Sequence, residues 1–401
     1  WSSNVNTNVL TSHRSILFPN ASGTVALLSD IPTVDFGVFG ISDATGTYTY
    51  YDTLTLAMAA AVTGQTIEMF ADVIETGAVT ITLKDGVNIN GNGHTYTLDT
   101  ATTTTGFIDG GVSIVIKLSN ITLVRKGAGA GIMLGLSASG NRIIANSTFI
   151  KIESNSSTGI RTYSGTDSGN ITGFTVNCTG ASCTGIWLIG GYIDNCSAVS
   201  TGNGIRLIIG NIINSYGEST GADAGIWATG SGYVSNCSGK SDTGYGIYTY
   251  IPTYNSTGYS SGNIGIRFNG GSVSNCTGTS SSTLGMYGSG STLSNCNAIS
   301  SGGGALFIQN GTANNCTAYS TVNVAMNVFN TTRVNNCTFT TLSGSTVLST
   351  STASIGASIK NCTVINKWDN AVAHGIPANP NLSIMNCAIK VTNALANCLS
   401  S

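Results

Sequence analysis

Charge is scarce in these 401 residues. Lysine, arginine, aspartate and glutamate together make up 8%, against roughly 25% in ordinary soluble domains. The net charge is −2, so no attraction to nucleic acid or to an anionic membrane is expected. Disorder is not expected either. Hydrophobic content is 41%, and disordered chains combine low hydrophobicity with high charge. No apolar run approaches the ~18 residues of a membrane span. The chain opens at Trp1 without a Met, a charged stretch or an apolar stretch of the signal-peptide kind, so no secretion signal is expected within it. Histidine is limited to His13, His94 and His374, and no Cys-x-x-Cys occurs, which leaves zinc ligation little support.

What is there is a repeat. All 11 cysteines lie between Cys178 and Cys398. Asn-Cys pairs recur at Cys178, Cys196, Cys237, Cys276, Cys296, Cys316, Cys337, Cys362 and Cys387, and Asn214-Ser215 and Asn255-Ser256 fill two gaps. Asn146-Ser147 and Asn120-Ile121 read as earlier copies. Gly-Ile recurs in phase, from Gly159-Ile160 to Gly265-Ile266, and continues as Gly285-Met286, Ala305-Leu306 and Ala325-Met326. A period near 20 residues means a solenoid. Leucine is too scarce for leucine-rich repeats, and the units are β-branched and rich in Gly, Ser and Thr without helical periodicity, so the expectation is a parallel β-helix.

Each unit can be read physically. In Val273-Ser274-Asn275-Cys276 both Val and Cys look buried, although strict strand alternation puts residues three apart on opposite faces. A sharp bend at Asn resolves the conflict, because Asn tolerates the left-handed region. Stacked asparagines can then pair their amides along the axis. Three short strands per coil are expected, in 12 to 14 right-handed coils rising ~4.8 Å each.

This Asn-Cys bend resembles the asparagine ladder of right-handed, pectin-lyase-like β-helices. The segment from Ile81 to His94, ITLKDGVNINGNGH, is similar to the first coil of such proteins. The resemblance covers roughly residues 65 to 398. It implies the fold and not an activity, since lyases, hydrolases and non-catalytic fibres share that fold.

Residues 1–51 do not follow the repeat. ILFPNASGTVALLSDIP, from Ile16 to Pro32, resembles a segment of bacteriophage tail-fibre and tailspike proteins that leads from an attachment region into the fibre body. Its plainer reading is a hairpin and linker with Gly23 at the turn. Residues 52–64 read as a helix with Asp52 as N-cap and Gly64 just past its end. Its place suggests a cap on the open end of the β-helix, which spans 65–401.

Polysaccharide hydrolases need two carboxylates flanking the scissile bond. Lyases of the resembled family use calcium-bound carboxylates with an Arg or Lys base. None of the 17 acids here falls between Asp242 and Asp369, and the family's Asp-Asp and Arg-x-Lys hydrolase signatures are absent. No Asp-x-Asp run offers calcium its oxygens, and no cofactor or metal is expected. The best remaining cluster is Asp194, Glu218, Asp223 and Asp242 with Arg206 near. Asp223 and Asp242 are placed on one loop edge of adjacent coils, either as an acid pair at a sugar site or as solvated loop residues. His94 is expected to be structural.

One column stands out. Two residues after each Gly of the Gly-Ile edge, the side chain should point outward. That column reads Arg161, Trp187, Arg206, Trp227, Tyr248, Arg267, Tyr287 and Phe307. Three readings stay open: a subunit interface, since Arg and aromatics are enriched in interface cores; a ladder that stabilises its own sheet; and a glycan or receptor platform. The many Asn-x-Ser/Thr triplets are read as by-products of the repeat, provided the Asn amides point inward.

The expectation is a non-enzymatic structural or adhesive fibre protein of a phage particle, in tail or head, that binds a host surface or receptor. The resemblance further implies a homotrimer, attachment to other virion proteins through residues 1–51, assembly in the host cytoplasm and a bacterial surface glycan as ligand. The rivals are a tailspike-type depolymerase of surface polysaccharide and an extracellular bacterial surface adhesin. The cysteines are expected to be thiols, because in-register stacking holds Cβ atoms too far apart for a relaxed disulfide.

Overall fold

The computed structural model describes residues 37–163, 168–343, 347–350, 356–367, 374–377, 382–391 and 397–400. The chain divides into two units, residues 1–36 and 37–401, and the second is treated below. The tail-fibre-like segment 16–32, with Gly23, lies outside the described residues.

The second unit begins with the antiparallel strands Phe39–Ser42 and Tyr48–Tyr51. The first of these also pairs antiparallel with Thr66–Met69. Between them sits the helix Leu54–Ala60, which buries Leu54, Ala57 and Met58 in the same core as Ile81, Leu83 and Ile89. Its N-cap is Thr53 rather than Asp52: the Thr53 hydroxyl accepts from the Leu56 N–H at 3.2 Å. Asp52 lies one residue too early to reach the first free N–H groups. Gly64 follows the helix at φ +93°, the left-handed conformation Gly adopts without strain.

From Thr66 onward the chain winds as a parallel β-solenoid of about 14 turns. One coil illustrates the rest. Strand Ile266–Asn269 turns through Gly270 and Gly271 into Ser272–Ser274, bends at Asn275, and runs on as Thr277–Ser280. Each strand pairs in parallel and in register with its equivalent one coil later: Ile266 with Met286, Val273 with Leu293, Gly278 with Ala298. Ile266, Phe268, Val273 and Cys276 are buried. Gly258 is needed where two strands close in, since a Cβ there would lie 2.3 Å from the Gly265 carbonyl oxygen.

The bend has the expected backbone. Asn120, Asn195, Asn214, Asn236, Asn255, Asn275, Asn295, Asn315, Asn336, Asn361 and Asn386 all have φ between +48° and +55°. Two earlier copies were misread. Asn177 pairs with Val199 inside a strand, and the bend of its coil is Gly173, φ +80°. Cys178 therefore leaves the cysteine column for that of Ser200. One coil earlier the left-handed residue is Ser147, φ +51°, not Asn146. The ladder asparagines are also exposed rather than inward-pointing. They pair along the axis at the surface, as in Asn236 Nδ2 to Asn214 Oδ1 at 3.3 Å and Asn275 Nδ2 to Asn255 Oδ1 at 3.1 Å. The condition on which the triplets were dismissed as glycan sites therefore does not hold for these residues.

The cysteine column is packed inside. The ten cysteines whose side chains are described are all free thiols, nine of them buried. Each ladder thiol from Cys196 on donates to the carbonyl two residues back, for example Cys276 to Ser274 at 3.2 Å. Burial pushes the Cys237 thiol up to about 11 and the Cys196 thiol up to about 12.

A second internal ladder had no reading in the sequence. Ser260, Ser280, Ser300 and Ser320 are buried at the end of the third strand. Ser300 Oγ donates to the Thr283 carbonyl of the preceding coil at 2.6 Å and accepts from the Gly303 N–H of its own loop at 2.9 Å. The hydroxyl thus ties each loop to its predecessor and satisfies two buried backbone groups. Arg125 occupies the corresponding column earlier, in register with Leu98 and Ile152, and its Nη2 donates to the Thr102 carbonyl at 2.9 Å.

Candidate functional site

The outward column assembles as a continuous stack. Parallel pairing brings Arg161 beside Trp187, Trp187 beside Arg206, Arg206 beside Trp227 and Trp227 beside Tyr248. It then brings Tyr248 beside Arg267, Arg267 beside Tyr287 and Tyr287 beside Phe307. All eight residues are half-buried. The strands place them so because Ile, Met or Leu at the preceding position is buried, and alternation turns the next side chain out.

The stack is tight. The Arg161 guanidinium lies 4.3 Å from the Trp187 ring centroid, and Arg206 lies 4.5 Å from the same ring on the next coil. Arg206 is also 4.0 Å from Trp227. Further along, Arg267 lies 5.3 Å from each of the Tyr245, Tyr248 and Tyr287 rings and donates to the Tyr245 hydroxyl at 2.6 Å. Tyr287 and Phe307 stack at 4.8 Å and 10°. Ring faces are therefore largely taken by neighbours along the axis, and the surface presents ring edges, guanidinium groups and hydroxyls. Tyr248 and Tyr250 share a hydrogen bond of 2.5 Å, and burial followed by that bond pushes Tyr248 up to about 12.

Sequence reading missed three members. Tyr245 sits in the loop before its strand and stacks on Tyr248 at 5.2 Å. Tyr250 lies two positions further out. Phe329 stacks on Phe307 at 4.7 Å although its strand partner is Gln309. It reaches diagonally, so a search down one column does not find it.

Among the described residues the Arg161 and Arg206 guanidiniums make no ion pair and no hydrogen bond, and Arg161 Nε is buried without a partner. Burial lowers the Arg206 guanidinium, the Asp223 charge partly restores it, and Arg161 lowers it further. Asp223 itself lies over the preceding coil, its Oδ2 3.5 Å from where a Cβ on Gly202 would be.

The acids do not converge. Glu218 faces outward on the strand Tyr216–Ser219, bound to Lys240 at 2.5 Å and to the Tyr216 hydroxyl. Burial alone would raise its carboxyl, but the Lys240 and Tyr216 hydrogen bonds outweigh that and hold it low. Asp194 lies beside the ladder and accepts from Asn214 at 3.1 Å. The Asp242 N–H bonds the Ser219 carbonyl, while Gly244 is the residue that stacks on Asp223. The two loop acids are thus offset along the loop. His94 lies 3.3 Å from Asp72, whose carboxyl is held low first by the Thr95 N–H. No group of three metal-ligating side chains occurs among the described residues.

No family model matches the chain, and no curated protein does. Among solved structures, the A-module of a mannuronan C-5 epimerase from Azotobacter vinelandii is similar at 12% identity, with 83% of this chain and 92% of that one covered and a TM-score of 0.40. An alginate lyase of family PL6 is similar at 11% identity, covering 84% and 79%, with a TM-score of 0.22. A Geobacillus virus E2 protein, ORF18, is similar at 12% identity, covering 77% and 52%, with a TM-score of 0.17. Likenesses this slight carry no argument about activity.

Proposed function

We propose that this chain is a non-catalytic adhesive rod of a phage particle that engages a glycan of the bacterial surface along its Arg–aromatic face. The observation that carries the reading is the stack from Arg161 to Phe307, in register over eight coils, in which the Arg161 and Arg206 guanidiniums lie against Trp rings and make no ion pair among the described residues. A sheet that only needed stabilising would gain as much from β-branched pairs. Unpaired, half-buried guanidiniums leave donors in a fixed fork for anions and hydroxyls. The placement on a phage rests on the likeness of residues 16–32 alone. The separation of Asp194, Glu218, Asp223 and Asp242 speaks against the depolymerase alternative, since glycoside cleavage wants two carboxyls across one bond.

The test compares host-cell binding by the wild type and by Arg206→Gln and Trp227→Ala variants whose fold is confirmed by circular dichroism. Loss of cell binding in folded variants supports the reading. Undiminished binding with weakened self-association transfers the face to a subunit interface, the arrangement a homotrimer would need.

A further inference from the structure

One charge in the interior has no counter-charge. Arg125 lies near the end of the strand Val115–Lys126, where alternation after the buried Ile121 and Leu123 turns its side chain inward. It is fully buried, the largest side chain so enclosed. Its neighbours in register, Leu98 and Ile152, are apolar. None of the ion pairs among the described residues includes it. An arginine in a protein keeps its proton, so the cation must be compensated.

The loop that follows is shaped around the guanidinium. Residues 126–131 read Lys-Gly-Ala-Gly-Ala-Gly. A Cβ on Gly131 would lie 2.1 Å from Arg125 Nη2 and 2.4 Å from its Cζ, so glycine alone leaves the group room. Gly129 lets this loop lie directly on the preceding one, since a Cβ there would lie 2.1 Å from the Thr102 carbonyl oxygen. That carbonyl accepts from Arg125 Nη2 at 2.9 Å. Nε and Nη1 are buried, and no protein group accepts from them.

A second donor is in the same condition. The Tyr96 hydroxyl is buried without a partner. Tyr96 lies one coil earlier, two positions before Leu98, the residue that pairs with Arg125. Diagonal neighbours on one face of a sheet are within reach of long side chains. Burial, followed by the charge of Glu75, raises the Tyr96 phenol well above its usual value, so it stays a donor.

We propose that Arg125 holds a small inorganic anion, chloride, inside the coil, with the Tyr96 hydroxyl as a second donor. A guanidinium taken out of water and left unpaired is strongly destabilising. Leu98 and Ile152 show that the column packs without a cation, so the fold alone does not demand this arginine. The free groups are all donors, N–H groups of a cation and one hydroxyl, and such a set suits an anion. Water satisfies the hydrogen bonds and leaves the charge unanswered. The donor atoms have no exposed surface, which suits a monatomic ion and excludes a sugar or a phosphate ester.

The full chain is refolded from urea in sodium chloride and in sodium gluconate of equal ionic strength, then melted in each. The wild-type midpoint should rise by about one to two degrees for each tenfold increase in chloride beyond its dissociation constant. Gluconate, too large for the enclosure, should give no such rise. Arg125→Leu, which takes the side chain of its neighbour Leu98, should melt alike in both salts and above the wild type in gluconate. Crystals grown in sodium bromide locate the ion without a variant, and an anomalous peak beside Arg125 Nε or Nη1 is expected. If Arg125→Leu fails to fold, the bromide peak decides. Equal wild-type midpoints in the two salts, a chloride dependence that survives Arg125→Leu, or bromide found only on the surface overturns the proposal.

Discussion

The guanidinium carbon of Arg206 lies 4.0 Å from the centroid of the Trp227 ring on the next coil. With Trp187 on its other side, Arg206 is sandwiched, so its side chain is ordered before any ligand arrives. A planar cation held this way loses little rotamer freedom on binding. The same contacts stabilise the sheet, so structure and recognition share one set of residues.

Trp227→Ala removes one partner of that sandwich. It should cost about 2 kcal/mol, from lost apolar burial and one cation–π contact. Denaturant unfolding of the single variant checks this. A cost near zero would mean that the stack is not formed in solution.

The bend residues should respond to backbone conformation rather than to side-chain size. Asn295, at φ +54°, should tolerate Gly with a change of a few tenths of a kcal/mol, whereas Ala should cost roughly 1–2 kcal/mol for a left-handed non-Gly residue. Thermal melts of Asn295→Gly and Asn295→Ala give the comparison.

Ser300→Ala should be more costly than its apparent place in a polar loop suggests. It leaves the Thr283 carbonyl and the Gly303 N–H without the hydroxyl that serves both. A loss of about 1–3 kcal/mol is expected for buried groups left unpaired. Hydrogen exchange should then rise at Gly303 before it rises in the strands.

The cysteines set an alkaline limit. The folded pKa values of Cys237 and Cys196 are raised from 9.0 to about 11 and about 12. Below pH 9 both states keep these protons and stability is full. As pH rises above 9, the unfolded chain releases protons that the folded chain still holds, so stability falls by about 1.4 kcal/mol per pH unit per such thiol, up to about pH 11 for Cys237 and about pH 12 for Cys196. Denaturant midpoints at successive pH values check the slope, and Cys196→Ser should flatten it. Thiol counting before and after reduction should find the described cysteines alkylatable without reductant once the chain is denatured.

The repeat was legible where one residue type does one job. Asn295-Cys296 marks a left-handed bend followed by a small buried side chain, and the spacing of such pairs located the coils. Asn177-Cys178 has the same two letters inside a strand, because Gly173 already makes that bend. The Arg–aromatic column was legible because alternation after Gly-Ile is strict. The serine ladder was hidden, since Ser300 in Ser-Ser-Gly-Gly looks like solvated loop and only the neighbouring coil shows its bond to Thr283. The helix start was displaced because Asp52 and Thr53 are both good caps.

The most direct test of the adhesive account is to incubate the protein with purified surface polysaccharide of its host, measuring bound polymer and released products in one sample. The account predicts saturable binding that Arg206→Gln weakens, with no new reducing ends and no unsaturated sugars. Steady product release that Asp223→Asn abolishes would contradict it and make the rod a depolymerase.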